Sequence, residues 1–176
     1  MRIRRVVTGQ RADGTSVFVS DRPVDPITVA LIPGAELHAL WGSDEAVRLP
    51  TDGSRPAAPG WFPPAAGFRF AMVTLPPDST PPPAGLAMDA ALAEMGAKLP
   101  GLLEVLERDS PGMHRSDTID FEYVVAGEIW LELDDGAELH LRAGDTVVQN
   151  GTRHAWRNKS SEPCVMAVAI VGARRD

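Results

Sequence analysis

Two short segments constrain this chain more than any others: His114 to Gly127, and Gly144 to Asn158. The first carries His114, Ser116, Asp120, Glu122 and Gly127 within a run of β-branched and aromatic residues. The second opens on Gly144-Asp145 and reaches Gly151, His154 and Asn158. Imidazoles and a carboxylate therefore sit on short β segments punctuated by tight turns. Strands at this close, regular spacing fold as a sandwich or closed barrel, in which side chains from separate strands share one interior.

The rest of the chain supports that reading and adds to it. Trp130 to Arg142 is a hairpin, with an Asp135-Gly136 turn signal at its tip. In the first third, Ile3 to Val7, Ser16 to Ser20, Ile27 to Ile32 and Glu36 to Trp41 read as strands. They are separated by Asp13-Gly14, Asp21 to Pro23, and Pro33-Gly34. A loop rich in proline and glycine runs from Pro50 to Gly67, and Phe68 to Leu75 is again strand. Beyond the stiff spacer Pro81-Pro82-Pro83 the period changes. Met88, Ala91, Leu92, Met95 and Leu99 recur at three- and four-residue steps, the mark of an amphipathic helix. Pro100-Gly101 stops it, leaving room for a second helical turn over Leu102 to Leu106. The apolar stripe is packing surface, capping the barrel or joining two subunits. Three regions result: an N-terminal β extension over 1–80 that packs on the barrel, a Pro-rich spacer and short helix over 81–110, and a barrel core over 111–176.

Asp and Glu outnumber Lys and Arg by 24 to 17, a net charge of -7, which argues against a nucleic-acid binder. No apolar run approaches the ~20 residues that span a bilayer, and the N-terminus lacks the apolar stretch of a secretory leader. The single cysteine, Cys164, lies in an apolar run. An inert core thiol and a cytoplasmic location are expected. Glycine-rich phosphate loops and a Gly-x-Ser-x-Gly elbow are absent, so neither a nucleotide cofactor nor a serine hydrolase is expected.

From about Pro111 to Val171 the sequence resembles the paired motifs of the cupin superfamily. In the first motif His114 takes the first histidine position, Ser116 the second, Asp120 the acidic position and Gly127 the closing glycine. In the second, Gly144, Gly151, His154 and Asn158 match, and Gln149 stands where proline is usual. The resemblance implies a mainly β, cupin-type double-stranded β-helix (jelly-roll barrel), here with extra N-terminal strands and one or two short helices. It looks like the small single-motif cupins of bacteria, including those of secondary-metabolite pathways. Ser116 removes one of the family's three histidine ligands. The remaining set of His114, Asp120 and His154 implies a site for a divalent metal such as iron, manganese, nickel or zinc. Six residues of straight strand span about 20 Å, whereas ligands at ~2.1 Å from one ion lie within about 4 Å of each other. The chain must therefore bend near Asp117-Thr118 if Asp120 is to be a ligand.

Side-chain alternation past that bend sends Asp120 and Glu122 to one face and Phe121, Tyr123 and Val125 to the other. If the carboxylates face inward, an apolar set faces out and needs cover, which favours a homodimer. Two carboxyls on one dry face raise at least one pKa and ready it for acid–base work; the alternative is that Glu122 pairs with Arg142, Arg153 or Arg157. Trp156 shares the parity of His154 and is expected to wall the pocket, with Ser116 and Trp130. His38 and His140 read as surface or edge-strand residues.

Three functions follow. The first is an enzyme acting on a small carbonyl-bearing or aromatic substrate through a metal on His114, Asp120 and His154. The second is a metal-free enzyme using Asp120 or Glu122 as base with His114 and His154 as acids or hydrogen-bond donors. The third is a non-catalytic small-molecule-binding or sensory module.

Overall fold

Residues 2–176 are described by the computed structural model. The strands are β1 (Ile3–Gln10), β2 (Ser16–Val24), β3 (Glu36–Ser43), β4 (Phe68–Leu75), β5 (Thr118–Ala126), β6 (Glu128–Glu132), β7 (Glu138–Arg142), β8 (Thr146–Gln149), β9 (Ala155–Arg157) and β10 (Cys164–Gly172). Two helices, α1 (Met88–Lys98) and α2 (Leu102–Val105), interrupt them between β4 and β5.

Two antiparallel sheets form the barrel. One has the order β3-β4-β10-β5-β8, the other β7-β6-β9. This is a mainly β, double-stranded β-helix. The core lies between the sheets, where Val73, Val124, Met166, Val168 and Ile170 meet Ile129, Leu131 and Leu141. Met95 of α1 and Leu99 at its C-terminal cap join the same cluster, so the helix caps the barrel. Its Glu94 accepts a hydrogen bond from the Ala30 amide at 2.9 Å, and Lys98 donates to the Thr28 carbonyl.

Chain crossings between the sheets depend on glycine. Gly127, between β5 and β6, has φ 77°, and a Cβ there would meet the Pro163 carbonyl oxygen at 2.6 Å. Only glycine turns this corner without displacing the backbone. Gly151 does the same work between β8 and β9, with φ 59° and the Ser116 carbonyl 3.0 Å from a built Cβ.

The first third of the chain divides. β1 and β2 form a separate two-stranded hairpin, while β3 and β4 belong to the five-stranded sheet, with β4 paired along its length to β10. Ile27 to Ile32, expected as a strand, makes a single bridge from Ile27 to Leu37 and then turns. Pro26 and Pro33 bracket it and deny it two ladder donors. His38, expected at the surface, is 2% exposed and holds its Nδ1 at 3.0 Å from the Val24 carbonyl, tying β2 to β3. Cys164 is fully buried, and burial pushes its thiol up to about 11.

Candidate active site

Two buried pairs of titratable groups stand inside the barrel. The first is His114 with His154. The backbone of His114 bridges that of His154 by reciprocal N–H···O bonds of 2.9 and 3.0 Å, which brings the ring centroids to 4.2 Å. His154 is 1% exposed and His114 half-buried. Each ring places Nδ1 against the carbonyl two residues back: Gly112 for His114 at 3.0 Å, Thr152 for His154 at 2.9 Å. A carbonyl only accepts, so Nδ1 carries the proton and a neutral ring leaves Nε2 as an acceptor. Burial lowers both pKa values, that of His154 to about 4, with His114 as a further cause. At neutral pH these rings are uncharged, and Nε2 of each is an acceptor.

The second pair is Asp120 with Glu122. Both lie on β5, both face inward and both are buried. Their cross-strand partners are Ile170 and Val168 on β10, and Gln149 and Val147 on β8. The alternation of β5 is as expected, with Phe121 and Tyr123 on the exposed side. Asp120 Oδ1 and Glu122 Oε2 are buried with no hydrogen-bond partner among the described residues. Burial pushes Asp120 up to about 6, opposed by the Thr118 hydroxyl. Burial together with the Asp120 charge pushes Glu122 up to about 8. The arginines suggested as its partners are engaged elsewhere: Arg153 binds Glu107 and Asp134, and Arg157 binds Glu132. Arg142 makes no ion pair among the described residues. A carboxyl pair in this setting titrates as a unit that holds one proton near neutrality.

The two pairs do not merge. The chain does bend at Asp117, yet among the described residues no three His, Cys, Asp or Glu side chains are placed to hold one metal ion. The expected ligand set of His114, Asp120 and His154 is one member short: two imidazoles come together and the carboxylate stays with Glu122. Ser116, at the position of the missing histidine, is buried and bonds the Thr118 hydroxyl at 2.7 Å. These residues do not fit a three-ligand metal centre.

Of the expected pocket walls, Trp156 stands edge-on to His154 at 6.1 Å and pairs with Leu131 on the inward face. Trp130 does not belong to the pocket. It alternates with the buried Ile129 and Leu131, which sends it to the outer face, where it stacks on His140 at 4.1 Å. His140 in turn bonds Glu128 at 2.8 Å. Asn158 is structural: its amide donates to the Leu75 and Glu162 carbonyls.

A Cupin domain family model matches residues 101–171. This segment of the chain is similar to cupin domains. Among curated proteins it is 44% identical to "Phomopsin biosynthesis cluster protein C'" of Diaporthe leptostromiformis over 70 residues, 37% of each chain. It is 42% identical over 60 residues to "Oryzines biosynthesis cluster protein J" of Aspergillus oryzae, 34% of each chain. It is 41% identical to the "Cupin-domain-containing oxidoreductase virC" of Hypocrea virens over 46 residues, 26% of this chain and 24% of that one. The matched segments span about a third or less of these relatives' length. Among solved structures, a Cupin 2 conserved barrel domain protein from Salinispora arenicola aligns with TM-score 0.43 and 18% identity, over 83% of this chain and 82% of that chain. Among the described residues, no helix of the chain is long and apolar enough to cross a membrane.

Proposed function

We propose that this chain is a cupin enzyme of secondary metabolism that moves a proton on a small carbonyl-bearing or aromatic compound without a metal. One observation carries the reading: Asp120 and Glu122 are buried together, each with an oxygen that nothing among the described residues satisfies. Leaving two buried acceptors unpaired costs stability, and such costs concentrate where a site must hold a reactive protonation state. With values near 6 and 8, the pair is Asp120 carboxylate and Glu122 acid at neutral pH.

The step that follows is an isomerisation or cyclisation of the acid–base kind. Asp120 removes a proton from carbon beside the carbonyl, while the Glu122 O–H stabilises charge growing on the carbonyl oxygen. Return of the Asp120 proton to a different carbon, with Glu122 keeping its own, restores both groups. The uncharged Nε2 atoms of His114 and His154 accept hydrogen bonds and so orient a hydroxyl-bearing portion of the substrate. The names of the relatives, two from biosynthesis clusters and one an oxidoreductase, support a small-molecule pathway. Because the ligand set is incomplete, no step is routed through a metal.

The test is exchange of solvent deuterium into a panel of aromatic and cyclic ketones, read by proton NMR. Incorporation that resists chelators and is lost in Asp120→Asn and in Glu122→Gln is expected. Exchange undiminished in both variants refutes the assignment, and saturable binding with no exchange for any compound replaces it with a binding module.

A second copy of the chain is the proposed partner. Phe70, Phe121, Tyr123, Val148 and Val171 line the outer face of the five-stranded sheet and are each about 40–56% exposed. An apolar row of this extent on a sheet face wants cover. Light scattering giving twice the chain mass, reduced to the monomer by Phe121→Lys, is expected.

A further inference from the structure

Away from the barrel's two titratable pairs, the N-terminal hairpin and the loop before β4 enclose unused space. One cavity of about 430 Å³ lies between β1, β2 and Trp41, lined by Arg5, Ser20, Arg22 and Arg55 among others. A second, of about 220 Å³, has mainly apolar walls that include Trp41, Trp61, Phe70, Ala71, Leu99 and Ile170. Trp41 and Arg55 line both, so the two adjoin.

Charge in the larger cavity is unbalanced. Among the described residues no carboxylate pairs with Arg5, Arg22 or Arg55. Asp21, the one acid on its wall, is held by Arg4 through both oxygens at 2.6 Å. Arg5 donates from Nη1 to the Leu40 carbonyl and lies over the Trp41 ring at 5.6 Å. Its Nε, and the Ser20 hydroxyl nearby, are buried with no partner among the described residues. Three cations gathered in a chain of net charge -7 repel one another, and a guanidinium with a buried, unused donor is a receptor for a planar anion. Apart from the shared Arg55, the cations of the smaller cavity are already satisfied: Arg69 by Asp44 and Lys98 by Glu94. It offers aromatic and aliphatic surface instead.

We propose that the two cavities form one binding site for an organic acid, with Arg5, Arg22, Arg55 and Ser20 holding its carboxylate and Trp41, Trp61 and Phe70 enclosing a flat apolar body. The floor of the apolar part, Ile170, is the cross-strand neighbour of Asp120, so an occupant sits one strand from the buried carboxyl pair. The proposal stands without the proton-transfer reading, because it rests on other residues and is read by binding alone.

Calorimetric titration of the full chain with 2-naphthoate, its neutral amide and inorganic phosphate tests it. Saturable one-to-one binding of naphthoate is expected, with the amide and phosphate each at least about tenfold weaker, the loss of one charge-assisted contact. Arg22→Gln and Arg55→Gln, both exposed side chains whose loss spares the fold, are each expected to weaken naphthoate about tenfold. Trp61→Leu is expected to weaken naphthoate and leave phosphate unchanged. Naphthoate binding equal in the wild type and both arginine variants overturns the proposal, as does no binding of naphthoate or phosphate binding as tightly. Circular dichroism matching the wild type shows that a weakened variant has kept its fold.

Discussion

The histidine pair and the carboxyl pair occupy the same barrel and are both pushed toward neutrality by burial, yet they are built in opposite ways. Each imidazole spends its proton on a carbonyl two residues behind it, so the ring is locked in one tautomer. Asp120 and Glu122 each keep an oxygen with no hydrogen-bond partner among the described residues. Burial with a satisfied bond yields rigidity; burial without one stores free energy that a ligand or a proton can release. The first arrangement belongs to a positioning element and the second to a reacting one.

The sharpest way to break this contrast is turnover. On any ketone that exchanges, Asp120→Asn or Glu122→Gln is expected to lower the rate by roughly 10²–10⁴, the usual worth of a general acid or base. His154→Gln should cost far less; equal losses from both pairs would erase the distinction. Stability comes next. Glu122→Met, which removes an unsatisfied buried acceptor, is expected to raise stability by about 1–2 kcal/mol. His154→Ala, which leaves a cavity and an orphaned carbonyl, should lower it by about 2–3 kcal/mol. Urea unfolding measures both.

The pH dependence has a fixed sign. Asp120 and Glu122 bind protons more tightly when folded, so their contribution is complete in acid and disappears as pH rises through about 6 and 8. His154 acts the other way, and its effect is confined between about 4 and its ordinary value. Above pH ~6.5 only the carboxyls remain, and between about pH 6.5 and 8.5 the wild type should lose about 2 kcal/mol. Glu122→Gln should flatten that slope. The smallest expected effect is on metal: with two imidazoles and no third ligand in reach among the described residues, iron, manganese, nickel or zinc added to the protein should bind below one equivalent. A full equivalent of tightly held metal, lost in His154→Ala, would show that the two pairs draw together.

Much of this was readable beforehand because period-two alternation is a local property. Placing Asp120 and Glu122 inward dictates that Phe121, Tyr123 and Val125 face out, and the motif glycines sit where the backbone crosses between sheets. Trp130 shows the limit: its direction depends on which face of β6 meets the core, and Ile129 and Leu131 decide that. His38 shows another, since its burial comes from β2 lying against β3, a contact that no spacing announces. The same holds for Arg5, Arg22 and Arg55, which are scattered in sequence and assembled by the hairpin. Whether Asp120 joins the histidines is set by how the chain bends at Asp117, which motif matching does not resolve.

The pairing of β4 with β10 has a practical corollary. The matched domain starts at residue 101, but the strand that covers one side of β10 comes from Phe68–Leu75. A fragment trimmed to the domain boundary would bare the hydrogen-bonding edge of its most apolar strand, and such edges recruit other chains. Aggregation of that fragment, where the full chain stays dispersed, would follow from the ladder alone.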